Sequence, residues 1–192
     1  MPADDAKLPV SVTMIARNEA ANLRRSLPAV AGWVAEIVVV INDCTDDTRA
    51  VAEQYGAVVH EHPWQGHRNQ KNIALEYAKE EWILGLDADE VVTPELREAI
   101  SAFLASQPAA NGARFARCTW FMGRWIRHGD WYPDAKTRLV RRGKARWGGV
   151  IDWFQSGDEE GHDFPTQSEV EDKDAPDEAE PPPKRTPVLP TP

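Results

Sequence analysis

Apolar positions in the first 120 residues come in short unbroken runs, not in polar–apolar alternation. "VSVTMIA" (10–16), "EIVVVIN" (36–42), "AVVHEH" (57–62) and "WILGLD" (82–87) are rich in β-branched residues and too short for core helices. They predict strands buried on both faces, and "GARFARCTWF" (112–121) predicts a fifth. Between them the apolar spacing becomes helical, in "EAANLRRSLPAVAGW" (19–33), "TDDTRAVAEQYG" (45–56), "NQKNIALEYAKE" (69–80) and "TPELREAISAFLAS" (93–106). Gly56 stops the second helix, and Thr93 with Pro94 reads as an N-cap and first helical residue of the fourth. Strand and helix alternate four times. That predicts an α/β domain over residues 1–156, with a mostly parallel sheet covered by helices.

Ligands of such sheets bind beyond the carboxyl ends of the strands. The polar groups expected there are "ARNEA" (16–20), "NDCTDD" (42–47) and "DADE" (87–90). Asp87 and Asp89 are the sharpest feature. At i and i+2 of a continuing strand they would share one side, and they would repel unless a proton or cation lay between them. A solvated turn ahead of the next helix explains them as well when taken alone. Convergence with the other two strand ends favours a binding site.

Charge changes the picture mainly at the C-terminus. Residues 1–150 hold nineteen acids and nineteen bases, so the formal net charge of −9 belongs to residues 151–192. The end of that stretch, "SEVEDKDAPDEAEPPPKRTPVLPTP", is acidic and proline-rich, and its apolar content is too low to offset the entropy of ordering it. Residues 157–192 are therefore expected to be a disordered tail. Two cysteines, Cys44 and Cys118, make neither a disulfide framework nor a zinc site. The N-terminus has no signal-peptide pattern, and no apolar run reaches membrane-spanning length. The expectation is a cytoplasmic protein whose membrane contact, at the inner face, is peripheral.

Residues 112–149 carry ten basic side chains against Asp130 and Asp134, with Trp120, Trp125, Trp131 and Trp147 interleaved. This is either a solvated cationic face over core tryptophans or a surface for an anionic partner. An anionic membrane ranks ahead of nucleic acid, and no nucleic-acid partner is expected for a body without net charge.

Three function classes compete for the converging acids. A nicotinamide- or flavin-linked Rossmann enzyme needs a glycine-rich turn after the first strand, and "ARNEAAN" has no glycine. "ILGLDADEV" resembles the opening motif of haloacid dehalogenase-type phosphatases, in which the first Asp is a nucleophile and the second a general acid. That motif normally opens a chain, whereas three strands precede it here, and no later acidic pair for magnesium follows before the acidic tail.

The third class covers far more residues. "SVTMIARNEAANLRRSL", "EIVVVINDCTDDTRAVAEQYGA", "GHRNQKNIALEYA", "WILGLDADEVVTPEL" and "WIRHGDWYPDAKTRLVRRGKARW" resemble, in order and spacing, the motifs of family 2 inverting glycosyltransferases of the GT-A fold. The nearest branch acts on the lipopolysaccharide core. The resemblance spans about residues 10–149. It implies a nucleoside pocket at Ala16, Arg17 and Glu19, with Asp43 accepting the N–H of a uracil edge and Lys71 near the nucleotide. It also implies a D-x-D motif at Asp87 and Asp89 that holds one Mg²⁺ or Mn²⁺ against the diphosphate of a UDP-sugar, with Asp89 the more direct ligand. The partners so implied are a nucleotide-sugar donor, a UDP-hexose, and a saccharide or lipid-linked acceptor of the cell envelope.

An inverting transferase also needs a carboxylate to take the proton of the acceptor hydroxyl. The resemblance implies an acid shortly after "RWGG", and Asp152 stands nearest that place; Asp130 and Asp134 are alternatives. The resemblance fades near Gly149, and the acceptor-side helices expected there are missing. The competing expectation is therefore a C-terminally incomplete chain that binds a nucleotide-sugar without transferring it.

Overall fold

The computed structural model describes residues 7–148 and 186–189. Strand β1 (Leu8–Ala16) lies between β2 (Val34–Ile41) and β4 (Trp82–Gly85), and β3 (Val58–Glu61) flanks β2; all four run parallel. This is the α/β, mostly parallel arrangement that the apolar runs predict. Helices α1 (Ala20–Ser26), α2 (Thr48–Gln54), α3 (His67–Tyr77) and α4 (Pro94–Ala105) connect or follow these strands.

Both faces of the sheet are covered, which explains the unbroken apolar runs. Val10, Val12, Met14, Ile37, Val39 and Ile41 pack in one cluster with Leu23 of α1, Val51 of α2 and Leu96 and Ile100 of α4. The alternate residues Val38 and Val40 pack with Ala74 of α3 on the other face. Period-two alternation thus sends neighbouring valines of β2 into two separate cores.

Several elements differ from the expectations. The helix expected over 19–33 is α1 followed by a single 3₁₀ turn, Leu27–Ala29, where Pro28 interrupts the α-helical hydrogen bonding. The strand expected over 112–121 breaks at Cys118 into β6 (Gly112–Arg117) and β7 (Thr119–Phe121). Three further strands are not evident in the apolar pattern: β5 (Glu90–Val92), β8 (Arg124–Ile126) and β9 (Asp134–Arg141). β9 runs antiparallel to both β4 and β6. With β10 (Thr186–Leu189), the sheet order is β3-β2-β1-β4-β9-β6-β10-β5, and β7 and β8 form a separate hairpin.

β10 (Thr186–Leu189) lies within the stretch whose composition predicts disorder. Its backbone pairs parallel to β5 and antiparallel to β6. Val188 and Leu189 are an apolar pair in an otherwise polar, proline-rich stretch, which suits a short strand better than its surroundings. The rest of residues 157–192 lies outside the described residues. No helix among the described residues is long and apolar enough to cross a membrane.

Candidate active site

β1, β2 and β4 are parallel neighbours, so the segments that leave their carboxyl ends emerge on one edge. Ala16 is the buried last residue of β1. Arg17 and Asn18 are exposed, and Glu19 is half-buried. Asn18 takes a positive φ of 55° and its Oδ1 accepts from the Thr45 amide at 2.7 Å. Thr48 Oγ1 accepts from the Glu19 amide at 2.8 Å, and Asp46 Oδ2 accepts from the Ala20 amide at 3.1 Å. These three bonds tie the loop after β1 to the loop after β2.

Asp46 is therefore the structural acid of "NDCTDD". It also accepts from the Thr48 amide at 3.0 Å. Its slight burial works to raise its pKa, but the hydrogen bonds from Thr48 and Ala20 outweigh that and hold the carboxyl below the usual aspartate range. Asp43 has no such role. It is exposed, has a φ of 42°, and among the described residues its carboxylate receives only a long 3.4 Å contact from Asn42 Nδ2. The capping explanation for the acids of this loop applies to Asp46 and leaves the Asp43 carboxylate free to meet a ligand.

The acids after β4 do not sit on a continuing strand. β4 ends at Gly85, and residues 87–89 form a turn into β5, closed by the Glu90 amide donating to the Asp87 carbonyl at 3.0 Å. The expectation that Asp87 and Asp89 project together from a strand is corrected by this turn. Their environments are opposite. Asp87 accepts from Lys71 Nζ of α3 at 2.6 Å and from Arg138 of β9 at 2.9 Å. Burial works to raise its pKa, but the two cations outweigh it and lower it to about 2. Asp89 has no ion-pair partner among the described residues and is half-buried. Burial, then the charge of Asp87, then that of Glu19 push its carboxyl above the usual range. Arg117 attracts it more weakly and forms no ion pair with it.

Glu90 and Arg138 complete the arrangement. Glu90 is 1% exposed, takes Arg138 at 2.5 Å and Arg117 at 3.5 Å, and accepts from the Asp87 amide at 3.0 Å. Its carboxyl is pushed up by burial and by Asp87, against the pull of Arg138. Arg138 is 5% exposed. Sequence reasoning counted it among surface cations, because a charged residue in a strand reads as outward-facing by default. The signal available was its place between Thr137 and the apolar pair Leu139–Val140. Trp147 lies under Lys71, whose Nζ is 4.5 Å from the ring centroid. Asn72 holds the Trp147 backbone from both sides, accepting from its amide at 2.7 Å and donating to its carbonyl at 3.1 Å. Lys71, Asp87, Arg138 and Trp147 line an open cavity of about 430 Å³.

Among the described residues, no group of three metal-ligating side chains gathers that could hold an ion by protein alone. The donor set suits a hard cation that takes one or two carboxylates and completes its shell from a ligand's phosphates, as Mg²⁺ commonly does. Asp152 lies outside the described residues. Asp130 sits in a 3₁₀ turn after β8. Asp134 is ion-paired to Arg117 at 2.6 Å and Lys136 at 3.0 Å, which outweigh its partial burial and keep its pKa low, so it is a poor proton acceptor.

Residues 11–162 match the family described as Glycosyl transferase family 2. The chain belongs to that family. The match extends past Gly149, where the motif resemblance fades, and it displaces the phosphatase reading of "ILGLDADEV". Over 146 residues this family 2 chain is 34% identical to the lipopolysaccharide core biosynthesis glycosyltransferase LpsC of Rhizobium meliloti (strain 1021), covering 73% of this chain and 54% of that one. Over 97 residues it is 42% identical to an uncharacterized glycosyltransferase of Rickettsia felis, covering 50% of this chain and 34% of that one. It thus spans between a third and about half of the length of these relatives. Among solved structures, S. aureus TarS 1–349 in complex with UDP-GlcNAc aligns with a TM-score of 0.46 at 25% identity, over 50% of this chain and 31% of that one. Glucosyl-3-phosphoglycerate synthase from Mycobacterium tuberculosis, in complex with Mn²⁺, UDP and phosphoglyceric acid, aligns with a TM-score of 0.44 at 23% identity, over 54% and 41%.

Proposed function

We propose that this chain binds a nucleotide-sugar of the UDP-hexose class through a divalent cation, Mg²⁺ or Mn²⁺, and transfers the sugar with inversion to a saccharide or lipid-linked acceptor in cell-envelope polysaccharide synthesis. The observation that carries this reading is the contrast between Asp87, neutralised by Lys71 and Arg138, and Asp89, half-buried with no ion-pair partner among the described residues. The acceptor class follows the family and LpsC, whose name places that relative in lipopolysaccharide core biosynthesis.

Each residue has a task under this reading. Ala16, Arg17 and Glu19 line the nucleoside pocket, and the free Asp43 carboxylate accepts the imide N–H of a pyrimidine, a charge-assisted bond. Asp89 offers an oxygen to the cation, and Asp87 is oriented for the same purpose by its two basic partners. Lys71 and Arg138 bring two positive charges to the place where the diphosphate would lie. When bound, the cation would offset the charge growing on the departing nucleoside diphosphate. Asp152 is the acid proposed to take the acceptor's proton.

The test is a transfer and hydrolysis assay of the purified chain with UDP-glucose and Mn²⁺, run beside calorimetry of UDP binding. Metal-dependent release of UDP from the sugar supports the transferase. Metal-dependent binding without turnover means that the chain is a nucleotide-sugar binder only. If UDP binds equally with and without metal, the site assignment at Asp89 is wrong.

A further inference from the structure

The β7–β8 hairpin stands apart from the main sheet, and its tip has an unusual composition. Phe121 pairs with Arg124 across a two-residue turn, Met122–Gly123. Both turn residues have positive φ, 47° and 81°, the primed geometry that matches strand twist and favours Asn-Gly. Methionine gains nothing from that backbone, and turn chemistry does not explain it. Met122 is 85% exposed and the adjacent Phe121 is 48% exposed. Trp131, 52% exposed, contacts Phe121 with ring centroids 5.3 Å apart. Behind the tip, Trp120 and Trp125 form a T-shaped pair at 4.8 Å that stiffens the hairpin. Two exposed cations, Arg124 and Arg127, flank the apolar tip, and neither has an ion-pair partner among the described residues.

We infer that the β7–β8 hairpin is a membrane-docking element: Phe121, Met122 and Trp131 enter the interfacial layer of an anionic lipid bilayer, and Arg124 and Arg127 pair with its headgroups. Flexible and aromatic apolar groups beside arginines suit the headgroup–acyl boundary, where one end of each side chain stays wet. Charge complementarity selects the lipid: Arg124 and Arg127 are exposed beside the apolar tip, and no acid among the described residues is ion-paired with either. An anionic leaflet attracts such a segment within a Debye length. The element would hold the site near a lipid-linked acceptor, but the inference stands on the hairpin alone and does not need the donor site to be active.

The test uses the full chain at low salt, sedimented with vesicles of equal parts phosphatidylglycerol and phosphatidylcholine or of phosphatidylcholine alone. The anionic vesicles should bind at least about tenfold more tightly, and added salt should release the chain. Phe121→Ser with Met122→Asn should reduce anionic-vesicle affinity at least about tenfold. Asn is the residue the turn prefers, so the melting temperature should not fall through Met122→Asn itself. Arg124→Gln with Arg127→Gln should weaken binding to anionic vesicles only. The inference is overturned by equal binding to the two vesicle types, by binding to neither, or by a tip variant that keeps its fold and still sediments like the parent.

Discussion

Asp87 and Asp89 are two residues apart in one turn and lie in opposite electrostatic states. Two cations hold Asp87 ionised, with its pKa lowered to about 2, whereas Asp89 is pushed above the usual range by burial and by Asp87, which outweigh the weaker attraction of Arg117. One acid is part of the protein's own ion-pair network, and the other has no ion pair among the described residues.

The first expected outcome concerns Asp89. Replacing it with Ala should remove the metal-dependent part of UDP binding, a loss of at least about 100-fold, the upper end of what an outer partner of a metal site costs. The melting temperature without metal should hold or rise, because a partly buried carboxylate repelled by Asp87 and Glu19 is lost. Calorimetry with and without Mn²⁺ checks this, and unchanged metal dependence would remove Asp89 from the site.

The pH dependence follows from the same contrast. Ligation needs the Asp89 carboxylate, so metal-dependent UDP affinity should fall on acidification with a midpoint above the ordinary aspartate value of 3.8. For stability the two acids act in opposite directions. Asp87, with a lowered folded pKa, contributes stability that is present above 3.8 and lost as pH falls toward about 2. Asp89, with a raised folded pKa, costs stability above that value, and the cost disappears below 3.8. Affinity titrations from neutral to mildly acidic pH read the first effect. Urea melts of the parent and Asp89→Asn at each pH read the second, and a variant no more stable than the parent at neutral pH would contradict it.

Arg138 should be the most costly single change in the site. Arg138→Met leaves Glu90 buried beside Asp87 without its main counter-charge, and removal of one partner of a buried pair costs about 3–5 kcal/mol. Glu90→Leu added to Arg138→Met should recover part of that loss. Equilibrium urea denaturation measures both, and a fall under about 1 kcal/mol for the single variant would mean that the pair is solvated.

Asp43 and Asp46 separate binding from folding. Asp46→Ala should lower stability by about 1 kcal/mol through loss of its caps. Asp43→Ala should leave stability unchanged and weaken UDP binding by about 1.5–3 kcal/mol, the range for a hydrogen bond to a charged group. If the two variants change places in these measurements, the assignments are reversed.

The parallel half of the sheet was legible in the sequence because both faces of β1, β2 and β4 are buried by local helices, so each strand declares itself as an apolar run. The Thr93 cap was legible for the same local reason: its Oγ1 accepts from the Leu96 amide, three residues on, at 3.2 Å. The carboxyl-end location of the candidate site needed only the alternation of strands and helices. What the tertiary structure decided is long-range. β9 enters the sheet antiparallel between β4 and β6, and only that pairing carries Arg138 to Asp87 and Glu90 across more than forty residues of chain. Beyond the place of Arg138 beside the apolar pair Leu139–Val140, no local pattern marks its burial, because its stability comes from partners that are distant in the chain. The different fates of Asp87 and Asp89, identical residues in one short motif, were likewise set by which of them β9 and α3 happen to reach.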